Sequence, residues 1–329
     1  MTSPAAGVTL ASLQASLRPR LEATLRELRR IIESDFGLIA EVNGHLLQMQ
    51  GKMFRPTLLL LSQEASGARD DRAETLAAVV ELIHLATLVH DDSVDHSVLR
   101  RGMPTINALF SHQISVIMGD YLYSRAVVEL TRLADLEPLR VLSRVTNEMT
   151  VGEMRQLMAL EPLDFSEDEY DLLIRAKTAS LLSGACEVGA LRAPPHARQA
   201  LRRFGESLGM AFQIVDDLLD YTEEEAVTGK PSGNDLREHK VTLPLIYALD
   251  RLPAEGQRDV AALMASPTPS DAQIARVIGL VADSGGLEYA RQRAQLAAER
   301  ADRELDALPP SPAREVLRDS ITYVLDRRR

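Results

Sequence analysis

The stretch Glu81-Leu82-Ile83-His84-Leu85-Ala86-Thr87-Leu88-Val89-His90-Asp91-Asp92-Ser93-Val94-Asp95 is apolar for most of its length and then breaks into carboxylates. Read from Leu76, the apolar run predicts about five turns of buried helix ending at an acidic cluster. Asp91 and Asp95 stand four residues apart, so on a helix they project from one face, one turn from each other. A second stretch, Asp216-Asp217-Leu218-Leu219-Asp220, repeats the spacing at the end of another apolar run. Carboxylates packed this closely repel, which raises their proton affinity unless a cation lies among them. Ligands made of oxygen alone suit Mg²⁺ or Mn²⁺ rather than zinc, and Mg²⁺ completes its shell with water and substrate phosphates. No distal Gly and Glu complete an EF-hand loop.

Outward from these clusters the chain reads as helical. Leu13, Leu17, Leu21, Leu25 and Leu28 make an amphipathic pattern from Ser12 to Ile32. Similar patterns cover 114–133, 139–160, 168–190, 197–221, 243–252, 259–264, 271–283, 287–308 and 312–326. No alternating strand run with a hairpin dipeptide stands out. Breaks are short and marked by Pro or Gly, which predicts one all-α domain without repeats.

The 329 residues carry 37 Lys+Arg against 48 Asp+Glu, a net charge of −11. Such an acidic chain lacks the basic face of a general nucleic-acid binder, and no Trp and few aromatics supply a base-stacking platform. The one cysteine, Cys186, forms no internal disulfide and reads as a small packing residue. Neither a secretory signal nor a run of about 18 apolar residues is present, so the expected compartment is the cytoplasm. The closing Arg327-Arg328-Arg329 suits a helix C-terminus, and a transient membrane contact stays open.

The basic residues fall into short motifs. They are Gly51-Lys52-x-x-Arg55-Pro56, Arg100-Arg101-Gly102, Lys177-Thr178-Ala179, Gly229-Lys230 and Lys240-x-Thr242-Leu243-Pro244. Alone, each cation would be a solvated side chain. Beside two acidic clusters they suggest phosphorylated substrates, one bound through metal and one directly by Lys and Arg. Further segments are Gly119-Asp120-Tyr121, Gly152-Glu153-x-x-Gln156-Leu157 and Gly209-x-Ala211-Phe212-Gln213.

In order and spacing these segments resemble the trans-isoprenyl diphosphate synthases, or polyprenyl synthetases, most strongly over residues 52–248, with 1–35 as an N-terminal helical extension. The resemblance implies the isoprenoid synthase fold: a single multi-helix bundle over 1–329, with a central substrate cavity, commonly in a homodimer. It implies condensation of isopentenyl diphosphate with an allylic diphosphate, with three Mg²⁺ per site and Mn²⁺ as a substitute. By resemblance Asp91, Asp95, Asp216 and Asp220 bind metal, with Asp92 and Asp217 as secondary ligands. Arg100, Lys177, Lys230 and Lys240 hold the allylic diphosphate. Lys52, Arg55, His84 and Arg101 hold isopentenyl diphosphate. Lys177, Thr178 and Gln213 take the catalytic positions, the last two facing the allylic cation with neutral oxygen dipoles. His90 reads as structural.

The sequence departs from the family pattern at Gln50, Met53, Ser93 and His239, and none of these removes a metal ligand. Ala86 and Thr87, five and four residues before Asp91, stand where a bulky aromatic stops elongation in short-chain members. Both are small, which predicts a medium- or long-chain product of the kind used for quinone side chains. The alternatives are a short-chain farnesyl or geranylgeranyl diphosphate synthase, a terpene cyclase, and a regulatory subunit of a two-component synthase. A cyclase does not need Lys52 and Arg55, and regulatory subunits lack the Asp clusters.

Overall fold

A computed structural model describes residues 7–49, 51–158, 162–222 and 233–327. Helices account for nearly all of its secondary structure, and one two-residue hairpin is the only strand pairing among the described residues. The chain divides into two compact units. The first is Met1–Thr146 with Leu181–Arg202 and Leu305–Asp319; the second is Asn147–Ser180 with Arg203–Glu304 and Ser320–Arg329.

The first unit opens with α1 (Leu10–Gln14) and α2 (Arg18–Ile32). The amphipathic pattern predicts one helix over this span. Pro19 breaks it: proline has no N–H to give to a preceding turn, and it sits instead in the first turn of α2. Two helices absent from that periodic reading follow, α3 (Gly37–Gln48) and α4 (Phe54–Ala65). Then comes α5 (Ala73–Val94), packed against α2, α4 and α7 (His112–Arg132), with the short α6 (Ile106–Leu109) between. Leu76, Val79, Val80, Leu82, Ile83 and Val89 of α5 are buried. Each such side chain contributes about 1.5–3 kcal/mol on burial, so packing holds this helix in place. From His84 to Asp91, only His84, Thr87, Leu88, His90 and Asp91 keep partial exposure. α5 is also the one described helix long and apolar enough to cross a membrane, but 67% of that window is buried within the protein, as in a core helix.

α8 (Leu136–Met158) carries the chain into the second unit. There α9 (Glu167–Ile174) starts in a capping box made by Ser166 and Glu169. The sequence predicts one helix from Asp168 to Ala190. The structure instead inserts a π-helical turn, Arg175–Ala179, before α10 (Ser180–Gly189). α11 (Pro195–Thr222) ends the second apolar run. After it come α12 (Asn234–Arg237), α13 (Leu243–Leu249), α14 (Ala254–Met264), α15 (Asp271–Asp283), α16 (Gly286–Leu305) and α17 (Pro312–Asp326). Tyr221, Leu236, Leu245, Val260, Leu263, Ile274, Val277 and Val281 form a core in this unit. Cys186 is buried in the first unit, where burial pushes its thiol up to about 12.

Candidate active site

In the first unit the acidic cluster closes α5. Asp91 and Asp92 lie in the last turn and Asp95 caps it, its N–H bonding back to the Asp91 carbonyl at 2.8 Å. The helical register therefore persists to Asp95, and Asp91 and Asp95 share a face as the spacing requires. Asp92 is buried and takes the Arg100 guanidinium, with Nε at 2.7 and 2.9 Å from its two oxygens. Arg100, expected on the allylic diphosphate, is thus also tied to the cluster.

Arg100 stands on a hairpin that the sequence does not announce, Leu99–Arg100 against Met103–Pro104. Arg101 and Gly102 turn it with φ of 53° and 76°, the double left-handed geometry of a tight hairpin turn. The turn sends the Arg101 Nη1 to the Met49 carbonyl at 2.7 Å. A Cβ on Gly51 would lie 3.0 Å from Arg101 Nη1 and 3.2 Å from Glu81 Oε1, so the backbone at Gly51 touches both. Arg55 at the start of α4 and His84 on α5 belong to the same group electrostatically. Desolvation, aided by Arg101 and opposed by Glu81, lowers Arg55 to about 10. Desolvation also holds His84 well below the usual histidine value, with Arg55, Arg101 and Arg100 adding to it. Glu81 is raised by burial against the pull of both arginines. The Arg55 Nε is buried and makes no hydrogen bond. One buried carboxylate answers two guanidiniums, with a buried imidazole held neutral by the same arginines and a donor left over. That arrangement favours an added anion. Lys52 is exposed beside it, its carbonyl accepting from Gln14.

Three of the four departures from the family pattern, at Met53, Ser93 and His239, have local explanations. Met53 takes φ 54° ahead of α4 and buries its thioether, so a basic side chain there is replaced by packing. Ser93 is buried and bonds His112 Nδ1 at 2.7 Å. His239 stands at φ 56°, the conformation that glycine adopts freely, and its Nε2 bonds the Ser266 carbonyl. Gln50, Gly229 and Lys230 lie outside the described residues. His90 bonds the Val116 carbonyl at 3.2 Å and faces Asp120 across 3.3 Å, a link between α5 and α7.

In the second unit the π-helical turn carries Lys177 and Thr178. A π turn adds a residue to the helix and re-aims its side chains, and such turns concentrate at functional sites. Two glycines make room for it. A Cβ on Gly152 of α8 would lie 2.8 Å from Ala176 Cβ, and one on Gly209 of α11 2.5 Å from Ala179 Cα. Lys177 Nζ reaches Glu153 Oε2 at 2.6 Å and Gln156 Oε1 at 3.1 Å. The Gly152-Glu153-x-x-Gln156 motif therefore admits the π turn and steadies its lysine. Thr178 donates to Gln213 Oε1 at 2.7 Å.

The second acidic cluster ends α11. Asp217 is buried, and Tyr170 and Gln213 donate to its two oxygens at 2.6 and 2.8 Å. Asp220 accepts the Asp235 N–H at 2.9 Å. Desolvation above all raises Asp217 to about 7, with Asp216 and Asp220 adding repulsion. Asp235 is driven well above the carboxylate range by burial and by the same neighbours, against Lys240. Lys240 itself pairs with Glu238 at 2.6 Å. Asp235 is thus a fourth acid of the cluster. Arg327, just past α17, lies 3.0 Å from Asp216 Oδ1 with its guanidinium 3.7 Å over the Phe212 ring. From the sequence, Arg327 is only a cation at a helix end. Nothing local in the sequence announces this contact or those of Tyr170 and Asp235, because each spans many residues of chain.

Among the described residues no three His, Cys, Asp or Glu side chains converge into a ready-made metal cage. That geometry still suits Mg²⁺, which takes one or two carboxylates and completes its shell with water and phosphate oxygens. The donor set fits as well, since all the candidate ligands are carboxylate oxygens.

The helical architecture is the isoprenoid synthase fold. Residues 37–281 match the family model of the polyprenyl synthetases, and the chain belongs to that family. It is 42% identical over 298 residues to the all-trans-nonaprenyl-diphosphate synthase (geranyl-diphosphate specific) of Rhodobacter capsulatus, covering 90% of this chain and 91% of that one. A crystal structure of a decaprenyl diphosphate synthase from the same organism superposes with a TM-score of 0.92 at 36% identity, over 97% and 99% of the two chains. A polyprenyl synthase from Caulobacter crescentus, solved with calcium and isoprenyl diphosphate, gives 0.93 at 33% identity over 99% and 100%. The relatives are medium- and long-chain all-trans polyprenyl diphosphate synthases, which are prenyltransferases.

Proposed function

We propose that this protein condenses isopentenyl diphosphate with an allylic diphosphate to build a medium- or long-chain all-trans polyprenyl diphosphate. The observation that carries this is that the chain holds both an anion-seeking group and acidic clusters that seek cations. The anion-seeking group is Arg55, His84 and Arg101 with its unfilled guanidinium donor, and the cation-seeking ones are the two carboxylate clusters. The first suits a diphosphate held directly, and the clusters suit one held through divalent cations, Mg²⁺ or Mn²⁺. Asp91, Asp95, Asp216 and Asp220 are the ligands we assign, with Asp92 and Asp217 orienting their neighbours. Bound cations would neutralise the charge that builds on the departing diphosphate.

The C1–O bond of the allylic substrate breaks and its electron pair leaves with the diphosphate. Arg100, Lys177, Lys230 and Lys240 attract that charge. Thr178 and Gln213 offer oxygen lone pairs to the cation left at C1. The isopentenyl double bond attacks C1, and the proton lost from its C2 passes to the released diphosphate. Lys52, Arg55, His84 and Arg101 orient the isopentenyl diphosphate.

His84 gives this reading a pH signature. A histidine with a depressed folded pKa adds stability that is whole above the ordinary value of 6.5 and is lost as pH falls below it. A diphosphate beside His84 reverses the balance and favours the imidazolium. Isopentenyl diphosphate binding near pH 6.5 is therefore expected to take up protons. Calorimetry in buffers of different ionisation enthalpy measures the uptake, which His84→Gln should abolish.

A homodimer accords with α7, which leaves Val116, Ile117, Tyr123 and Val128 exposed for a second copy to cover. Turnover tests the proposal: with Mg²⁺, labelled isopentenyl diphosphate and farnesyl or geranyl diphosphate, the purified chain should form solvent-extractable polyprenyl product, and EDTA should stop it.

A further inference from the structure

Four side chains in the second unit form one hydrogen-bonded line. Tyr170, 2% exposed, donates to Asp217 Oδ2 at 2.6 Å. Gln213 Nε2 donates to Asp217 Oδ1 at 2.8 Å, and Thr178 Oγ1 donates to Gln213 Oε1 at 2.7 Å. The line starts in the core and ends at two half-buried side chains, Gln213 and Thr178.

Its direction follows from the chemistry of each member. In its ionised form Asp217 only accepts, and the Gln213 group turned to it is then the NH₂. The amide oxygen is then left for Thr178, and the Thr178 hydroxyl spends its single proton on it. What Thr178 presents elsewhere is lone pairs alone. Were the Gln213 amide reversed, its NH₂ would face Thr178 and the hydroxyl proton would turn outward. The dipole offered to a neighbouring cation would change sign.

We infer that Tyr170 is a positioning residue, which by fixing Asp217 sets the Gln213 amide and makes Thr178 a pure acceptor toward positive charge. This rests on the proposed function, in which Thr178 and Gln213 face the allylic cation. Asp217 needs the second donor. With the Tyr170 hydroxyl removed, one of its oxygens is buried without a partner, and the carboxylate turns to share the Gln213 NH₂, drawing the amide away from Thr178. Tyr170 sits on α9, just ahead of the π turn that carries Thr178, so one element sets both ends of the line.

Tyr170→Phe deletes only the hydroxyl. The expected result is a loss of about tenfold in kcat with the KM for isopentenyl diphosphate unchanged, the split of a group that acts in the transition state alone. In a Thr178→Val background the same change should cost nothing further, because the dipole it orients is gone. Losses that multiply in the double variant, or a KM that rises while kcat holds, would overturn the inference. A crystal structure of Tyr170→Phe decides the geometry apart from activity. The Gln213 amide should leave its hydrogen bond to Thr178, and an undisturbed Thr178–Gln213–Asp217 line would refute the positioning role even if turnover falls. An inactive parent enzyme would refute the prenyl-transfer reading instead, and the crystal structure would still judge the line.

Discussion

Asp91→Ala is expected to lower kcat/KM for condensation by roughly 10²–10³-fold, the loss seen when one group that stabilises developing charge is removed. Asp91 lies on the partly open stripe of an otherwise buried helix, one turn before Asp95. The substitution removes a carboxylate without opening a cavity, and alanine favours the helix. Thermal unfolding should therefore stay within a few degrees of wild type while steady-state turnover collapses. A variant that keeps a tenth or more of wild-type activity would remove Asp91 from the metal-binding set.

Thr87→Phe should shorten the product. Thr87 is half-buried on the same stripe, one turn inside Asp91, and its hydroxyl is spent on the His84 carbonyl at 2.8 Å. A ring there would project along the face on which we place the growing chain, at a cost to stability of about a kcal/mol. Ala86 is 3% exposed and faces packed core, so Ala86→Phe carries a greater overpacking cost for the same purpose. Mass spectrometry of the extracted products should show wild-type lengths replaced by short ones in Thr87→Phe. An unchanged distribution would move the determinant of length to another helix.

What can be read from the sequence, and what cannot, divides by distance along the chain. The two acidic helix ends, Gln213 on the helix of Asp216, and the all-α class follow from spacings of three and four residues. The break that Pro19 makes in the first helix is equally local, and there the regular leucine spacing masks it. The hairpin at Leu99–Pro104 is hard to read because two-residue strands have no alternation to detect, though Arg101-Gly102 is the kind of pair that turns one. The π turn at Arg175–Ala179 is hidden in a run that reads equally well as α-helix, and it shows only where Gly152 and Gly209 touch it. Tyr170 on Asp217 and Arg327 on Asp216 join residues 47 and 111 apart in sequence, where no periodicity operates. Lys240 and Arg100 are expected on a diphosphate. Each also pairs with an acid, Glu238 and Asp92, which a bound diphosphate would have to share or displace.

Elongation of an allylic diphosphate by this chain alone is the reaction to measure. Incubating the pure protein with Mg²⁺, isopentenyl diphosphate and an allylic primer, then weighing the dephosphorylated products by mass spectrometry, tests it most directly. The products should form a series spaced by one five-carbon unit that ends at medium or long chain and vanishes in EDTA. Cyclised hydrocarbon with no elongation, or no product until a second protein is added, would contradict it.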